Sequence, residues 1–478
     1  MHKHANTQWR LPALASAMLL AGLLLSACAP IPTLPEAASP CQADTLGLAA
    51  EGTELHSQWW RDYGDERLNA LVERALSDAP NIALARARLA RALAGVDGAA
   101  AADKPLIGLG ADLTRQRYSE NGLFPPPLAG SVRDSATIRA QISYEWDFFG
   151  RHAAELQAAL GQRRAAEAEQ AAAALGLSAA VTRSYLALAH LQSQEKLLEQ
   201  QLALREQSLA LVRQRVAAGL DDKQPLRQAE APLDELKRQR LALALQVQQQ
   251  RHALAALTAQ PQAALADLNA RLPETLNWQQ APHADLLGRR PDIVAARWRV
   301  EASVEDVKVA RSQFYPNVSL TAFGGLDAIG TDRLFKGGSR DFGFGPSLRL
   351  PLFDTGRLRA QLRGSAAQQQ AAVAAYDAVV IDAVREAADQ LSALQSLQQQ
   401  RQTQQQLLAN AAQQTQLLEQ RAAAGLGNQL PVLGARQAQL SQQRQALELQ
   451  AQALDAQVRL MQALGGGYQA DDSTSAKR

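Results

Sequence analysis

An internal repeat constrains the fold of this 478-residue chain more than any other feature of its sequence. Pro80-Asn81-Ile82 corresponds to Pro291-Asp292-Ile293, 211 positions later. From Trp146 onward the offset is 206, so that Gly150-Arg151 corresponds to Gly356-Arg357. The change of offset by five residues places a longer loop in the first copy, before Trp146. The chain therefore contains two copies of one unit of about two hundred residues.

Each copy contains segments in which apolar and polar residues alternate, the pattern of a β-strand with one apolar face. The alternation is clear from Thr137 to Trp146 and from Phe342 to Leu352, and a weaker alternating segment precedes each. We therefore predict one β-hairpin per copy, over residues 105–147 and 316–353. Strands of about ten residues are long enough to cross the hydrocarbon core of a bilayer when tilted. A soluble hairpin with one packed face is the alternative.

After each hairpin the sequence is free of proline and rich in Ala, Leu, Gln, Glu and Arg, which favours a long helix. Such a helix would be about 100 Å long, far more than a globular core can cover, so it requires a coiled coil or a helical tube. Shorter helices return from it, and a further helix precedes each hairpin. The predicted long helices are 151–218 and 357–424, the return helices 225–260 and 429–465, and the leading helix of the second copy 291–314.

The N-terminus has the features of a secreted lipoprotein. Lys3 and Arg10 precede an apolar run without acidic residues, as in a signal peptide. The run ends in Leu25-Ser26-Ala27-Cys28, which resembles the bacterial lipobox, and its cysteine would carry the lipid. The resulting division of the chain is a signal peptide 1–27, a lipidated linker 28–65, a first repeat 66–270, a second repeat 271–465 and a flexible tail 466–478.

Composition excludes several classes of protein. The chain has 49 Lys plus Arg and 47 Asp plus Glu, and removal of residues 1–27 leaves 47 of each sign, so nucleic acid is not an expected partner. Two cysteines cannot form a disulfide scaffold, and the histidines lack the spacing of metal ligands. The common catalytic motifs are absent, so we expect neither an enzyme nor a cofactor other than the lipid on Cys28.

Membrane insertion, if it occurs, must use the strands. After the signal peptide, no stretch has 18 consecutive apolar residues, which excludes a transmembrane helix on this criterion. Four strands cannot close a barrel, and open edges in lipid would leave backbone groups unpaired. Several chains must therefore contribute to one barrel. A lipid-anchored periplasmic coiled-coil scaffold is the alternative, but it would leave both amphipathic hairpins unused.

Several motifs resemble those of the outer membrane factor family, the TolC-like efflux lipoproteins of the NodT type. The similar segments cover almost the whole mature chain. They are Trp59-Trp60, Tyr144–Arg151, Arg289–Arg297, Phe314-Tyr315-Pro316 and Leu350–Arg357. The resemblance implies a mainly α fold with a transmembrane β-barrel: a homotrimer with four strands per chain in the shared barrel and a long periplasmic α-helical tunnel. The predicted location is the outer membrane, in contact with its lipid.

By the same resemblance, the function is that of a passive exit duct for small molecules such as drugs, docked on a periplasmic adaptor bound to an inner-membrane pump. A type I protein-secretion duct is the alternative. The resemblance identifies Gly219-Leu220 and Gly425-Leu426 as the hairpin tips that contact the adaptor. Related ducts close at an acidic ring, for which Asp221 and Asp222 are the candidates here, and Leu430 is a further candidate for the gate; two solvated carboxylates in a turn are the alternative. The sequence does not identify the pump or the cargo.

Overall fold

The structure is a computed structural model that describes residues 31–34, 39–40, 56–274, 289–351 and 353–469. The predicted signal peptide, the lipidation site Cys28 and residues 470–478 of the predicted tail lie outside the described residues. The chain divides into two compact units. One, the sheet unit, comprises Met1–Pro40, Ala90–Arg164 and Arg297–Ala375. The other, the helical unit, comprises Cys41–Leu89, Ala165–Ala296 and Tyr376–Arg478.

From the helix before each hairpin onward, the described helices and strands follow one another in the same order in both halves of the chain, and the first half has one further helix in front. The first half contains α1 (Glu66–Asp78), α2 (Pro80–Ala102), β1 (Leu106–Arg117), β2 (Val132–Trp146), α3 (Arg151–Ala217) and α4 (Lys223–Leu257). The second half contains α5 (Pro291–Ser312), β3 (Asn317–Ile329), β4 (Arg340–Arg349), α6 (Thr355–Ala423) and α7 (Gln429–Ala463). The mainly helical class is confirmed, and the predicted strands form an antiparallel sheet; their assembly into a trimeric barrel stays a prediction.

The four strands form one antiparallel sheet in the order β1-β2-β3-β4 within the sheet unit. Ile107 pairs with Ile142, Ile142 with Ala322, and Ala322 with Phe344, so one apolar row crosses the whole sheet. Side chains on this face of the outer strands are largely exposed in the single chain, Leu109 by 78% and Phe344 by 86%. Among the strands that the structure describes, β1 and β4 each have a neighbour on one side only.

The opposite face of the sheet is polar. Arg139 of β2 forms ion pairs with Asp341 of β4 and, at 3.9 Å, with Asp327 of β3. Its guanidinium carbon also lies 4.5 Å from the centre of the Phe323 ring. The Thr137 hydroxyl donates a hydrogen bond of 3.3 Å to Asp327. Side chains from three strands thus form one charged, hydrogen-bonded cluster on this face, which suits contact with water.

Where the strands meet the helices, the sheet unit has a small apolar core. It contains Val307, Ala310 and Phe314 near the end of α5 together with Leu358 and Leu362 of α6. Ile31 and Leu34 from the N-terminal segment pack against this cluster. The Phe149 and Tyr315 rings stack at 4.7 Å between centroids, so aromatic side chains lie at the same level as the ends of the strands.

The helical unit is built around a larger apolar core. Leu68 and Val72 of α1 pack there with Tyr185 of α3 and Leu454 of α7, all fully buried. Asp65 connects this core to the start of α1: its Oδ1 accepts a hydrogen bond from the backbone N–H of Arg67 at 2.9 Å, and its Oδ2 accepts one from the Tyr185 hydroxyl at 2.5 Å. Asp65 therefore caps α1 and also accepts the hydrogen bond of the buried Tyr185 hydroxyl.

The end of the predicted linker 28–65 belongs to this core. Trp59–Tyr63 forms a 3₁₀ helix in which Trp59, Trp60 and Tyr63 are buried. We predicted a linker because of the prolines between residues 30 and 40. At the end of this segment three large rings are buried instead, because aromatic side chains cover much apolar area when a helix lies beside them.

α3 is the one described helix that is long and apolar enough to cross a membrane by length and composition. Half of the apolar window in this helix is buried inside the protein. Since a buried core helix passes the same test, its alanine-rich sequence indicates close packing against neighbouring helices rather than a membrane span.

Arg290 joins three parts of the helical unit and generates a stability prediction. Its guanidinium, only 11% exposed, forms ion pairs with Asp292 at 2.7 Å and Glu386 at 3.0 Å, and donates to the Ala463 carbonyl at 3.1 Å. We expect Arg290→Ala to lower the free energy of unfolding by about 3 kcal/mol, near the lower end for breaking a buried pair, because both carboxylates remain partly hydrated.

The control for this prediction is Arg385→Ala. Arg385 is 59% exposed and pairs with Asp382 and Asp389 within one helix, so its loss should cost less than about 1 kcal/mol. Urea unfolding of the detergent-solubilised protein, followed by tryptophan fluorescence, measures both variants. Equal destabilisation by the two substitutions would contradict the role assigned to Arg290.

Candidate functional site at the hairpin tips

The two predicted tips are turns between antiparallel helices, and their backbones are nearly identical. Gly219 follows α3 with φ +70°, and the Leu220 N–H donates to the Arg215 carbonyl at 2.9 Å. Gly425 follows α6 with φ +76°, and the Leu426 N–H donates to the Arg421 carbonyl at 2.9 Å. This is the Schellman motif, in which a left-handed residue, usually glycine, satisfies the last carbonyls of a helix.

Each tip ends in a side-chain cap on the next helix. At the first tip, Asp222 accepts a hydrogen bond from the Gln224 N–H at 2.9 Å. At the second tip, Asn428 accepts one from the Leu430 N–H at 3.1 Å. Asp222 thus has a structural role as an N-cap, and Leu430 lies half-buried in the first turn of α7. The predicted gating role of both residues stays a prediction.

Asp221 is paired within the first tip. Its carboxylate accepts two hydrogen bonds from the Arg215 guanidinium, at 2.7 Å and 3.0 Å. This pairing lowers the pKa of Asp221 below its usual value, so the carboxylate stays charged and compensated at neutral pH. Gly427 occupies the corresponding position of the second tip. The acidic ring considered for Asp221 would therefore be offset by an equal number of arginines.

Both tips end in an exposed leucine. Leu220 is 68% exposed and Leu426 is 80% exposed. A leucine that follows a Schellman glycine often folds back onto its own helix. Here both side chains extend into solvent, so each tip presents a small apolar contact held in place by a fixed turn.

An ion pair joins the two helices of each hairpin close to the tip, with opposite polarity in the two copies. In the first hairpin, Arg213 of α3 pairs with Glu230 of α4 at 3.5 Å. In the second, Glu419 of α6 pairs with Arg436 of α7 at 2.7 Å. Glu419 lies 206 residues after Arg213, and Arg436 lies 206 residues after Glu230. The contact therefore occurs at the same place in both copies, but the positive and negative residues are on opposite helices.

The sequence identified the tip glycines and leucines but assigned no role to the tip arginines. Arg215 and Arg421 occur at matching places of the repeat, four residues before each glycine. The pairing of Arg215 with Asp221 depends on the reversal of the chain at the turn, which brings residues six apart together. The sequence signal that could have revealed this ion pair is a basic residue in the last turn of the helix, the tip glycine four residues later and an acidic residue two positions after the glycine.

The chain is similar to known outer-membrane channels over most of its length. The profile of the family described as "Outer membrane efflux protein" matches residues 71–260 and 284–466. The multidrug resistance outer membrane protein MdtP of Escherichia coli K12 is 33% identical over 448 residues, which cover 90% of each chain. MdtQ of Escherichia coli O157:H7 is 31% identical over 473 residues, covering 96% of this chain and 98% of MdtQ.

A solved structure shows the same likeness in three dimensions. The crystal structure of the outer membrane protein VceC from Vibrio cholerae superposes with a TM-score of 0.80 and 35% sequence identity, covering 87% of this chain and 100% of VceC. The profile match spans more than half of the sequence and includes both hairpin tips. The chain is therefore a member of the outer membrane efflux protein family.

Proposed function

We propose that three copies of this chain form a duct through the outer membrane, through which small molecules such as drugs leave the cell passively. The family consists of outer-membrane efflux channels rather than enzymes, and the chain is an exit duct of an efflux system. The observation that carries the proposal is the four-stranded sheet with one apolar face, one polar face and a free edge on each side.

The free edges support the trimer. In hydrocarbon, each unpaired backbone N–H or C=O group costs several kcal/mol, so β1 and β4 each require another strand beside them. β4 of one copy beside β1 of the next, repeated around an axis, closes a barrel without edges. Three copies give twelve strands, with the apolar row outside and the Arg139 cluster facing the water-filled interior.

Lipidation of Cys28 is the second part of the proposal. Cys28 lies three residues before Ile31, and Ile31 packs on the apolar cluster where strands and helices meet. A lipid on Cys28 would consequently enter the membrane close to the ends of the strands. The signal-peptide pattern and lipobox resemblance of the preceding residues support the same modification.

The third part concerns the partners and the cargo. The exposed Leu220 and Leu426 on rigid turns form contact points for a periplasmic adaptor, which links the duct to an inner-membrane pump. MdtP and MdtQ carry the words "multidrug resistance" in their names, which favours drugs over proteins as the cargo. The pump supplies the energy, and the duct contributes only a passage.

The barrel predicts how the protein behaves without its lipid. We expect the Cys28→Ala variant to require detergent for extraction from outer membranes, as the wild type does, because the strands hold it in the bilayer. Carbonate washing followed by immunoblotting measures the extracted fraction, and crosslinking of the detergent extract measures the trimer. Release of the variant into the aqueous wash would contradict the barrel and favour a lipid-anchored scaffold.

The duct function predicts that the tips are indispensable. We expect the double variant Gly219→Pro and Gly425→Pro to be as drug-sensitive as a deletion strain while trimers remain in the membrane. Proline fixes φ near −65° and cannot adopt the φ of +70° and +76° found at these glycines. Minimal inhibitory concentrations for a drug panel, with trimers quantified in parallel, test this.

Gln429→Pro is the matched control for the tip variants. Gln429 is the first residue of α7, where proline is favoured, so this variant should retain drug resistance. Full resistance of the double glycine variant would overturn docking through the tips. Wild-type susceptibility of the deletion strain to every drug in the panel would overturn the proposed cargo.

A further inference from the structure

We propose that the two hairpin tips are two different docking surfaces, and that the second tip binds an adaptor loop that carries a carboxylate, which pairs with Arg421. The inference rests on the proposed function, since it assigns the chemistry of the adaptor contact. The first tip, in contrast, pairs its own arginine with Asp221 and so offers the adaptor an apolar contact without a free guanidinium.

The two tips form a matched pair within one chain. The glycine, the leucine after it, the arginine four residues before it and the capped start of the next helix are the same in both. They differ in charge at three consecutive positions, where Asp221, Asp222 and Lys223 of the first copy correspond to Gly427, Asn428 and Gln429 of the second. Of these residues, Asp221 is the one that pairs with the tip arginine, so the difference between the two arginines can be traced to Asp221 and Gly427.

At the first tip, the guanidinium is fully engaged. Arg215 donates two parallel hydrogen bonds to Asp221, and this fork geometry is the preferred contact of arginine with a carboxylate. The pair itself carries no net charge, and the exposed Asp222 and Lys223 that follow it are of opposite sign. A partner that approaches this tip meets an apolar side chain on a closed turn.

At the second tip, the corresponding guanidinium is not paired with any residue that the structure describes. Within the part of the chain that the structure describes, Arg421 forms no hydrogen bond or ion pair through its side chain, and it is exposed. Glu419 is close in sequence, but its carboxylate is held by Arg436, with hydrogen-bond distances of 2.8 Å and 2.7 Å. Side chains two residues apart on a helix do not face each other, so Glu419 contacts Arg436 of the neighbouring helix and leaves Arg421 uncompensated.

The surface of the second tip therefore combines an uncompensated guanidinium with Leu426, the more exposed of the two tip leucines. A planar guanidinium recognises a carboxylate through two hydrogen bonds, a geometry that a lysine cannot reproduce. Beside an apolar contact that excludes water, such a pair is strengthened. The occupant that fits is a loop with an Asp or Glu next to an apolar side chain. In a trimer, three sites of this kind alternate with three at which the arginine is already paired.

The matched design of the tips gives a direct test. Gly427→Asp gives the second tip the acid of the first, and Arg421→Gln removes the guanidinium without changing the turn. A photo-crosslinking residue at position 424 or 218 reports contact near each tip, in cells that express their own adaptor and pump. Crosslinked peptides identified by mass spectrometry show which adaptor residues lie beside the tip.

We expect both variants to reduce the adaptor crosslink from position 424 and the efflux of the drugs identified above by about tenfold, because each removes one charge pair from an interface. The crosslink from position 218 should persist. Arg240→Gln, which changes an exposed and unpaired arginine within the described part of α4, is the charge-matched control and should have no effect.

A charge exchange makes the assignment specific. Arg421→Glu should abolish the crosslink from position 424, and changing one carboxylate of the crosslinked adaptor peptide to arginine should restore it. Wild-type crosslinking and efflux in Arg421→Gln, with adaptor captured at both tips, would overturn the inference and leave the proposed function intact. Absence of adaptor from both crosslinks, in cells with active efflux, would overturn tip docking itself.

Discussion

A β-strand in hydrocarbon needs a hydrogen-bonding neighbour on each side, and this requirement governs how the chain must assemble. The sheet of this protein satisfies it only for β2 and β3. Large apolar side chains on the outer strands, among them Leu109 and Phe344, are exposed in the single chain, although burial of such groups is the main driving force of folding. The proposed barrel would give both edge strands a partner and place these side chains in lipid, which is why we treat it as the basis of the duct.

The hairpin tips have a different role from the sheet, and fewer interactions hold their structure. A Schellman glycine, a helix cap and an exposed leucine fix the turn, and the repeat supplies it twice. Because the turns are alike, the contrast between the Arg215–Asp221 pair and the unpaired Arg421 is carried by a single position. The two copies of the repeat therefore share one turn structure but differ in the chemistry of their tips.

Much of this fold follows from the periodicity of the sequence. Alternation of apolar and polar residues marked the strands, and the Ala-Gly-Leu turns marked the helix ends, because both depend on local backbone geometry. Packing between distant segments could not be read in this way. The burial of Trp59 and the contact of Arg290 with Glu386 join residues far apart in the chain. At the site, the glycines were predictable, whereas the partner of Asp221 depended on the reversal of the chain.

The exchanged polarity of the cross-hairpin ion pairs bears on how a duplicated chain reaches its correct pairing. If α3 paired with α7 in place of α4, Arg213 would face Arg436, and the remaining helices would bring Glu230 to face Glu419. Each correct pair is partly exposed and contributes little by itself, but the difference between two attractions and two repulsions is of order 1 kcal/mol, about a fivefold preference. Two hairpins with similar sequences could otherwise exchange helices. The reversed charges favour pairing of α3 with α4 and of α6 with α7 over the exchanged pairings.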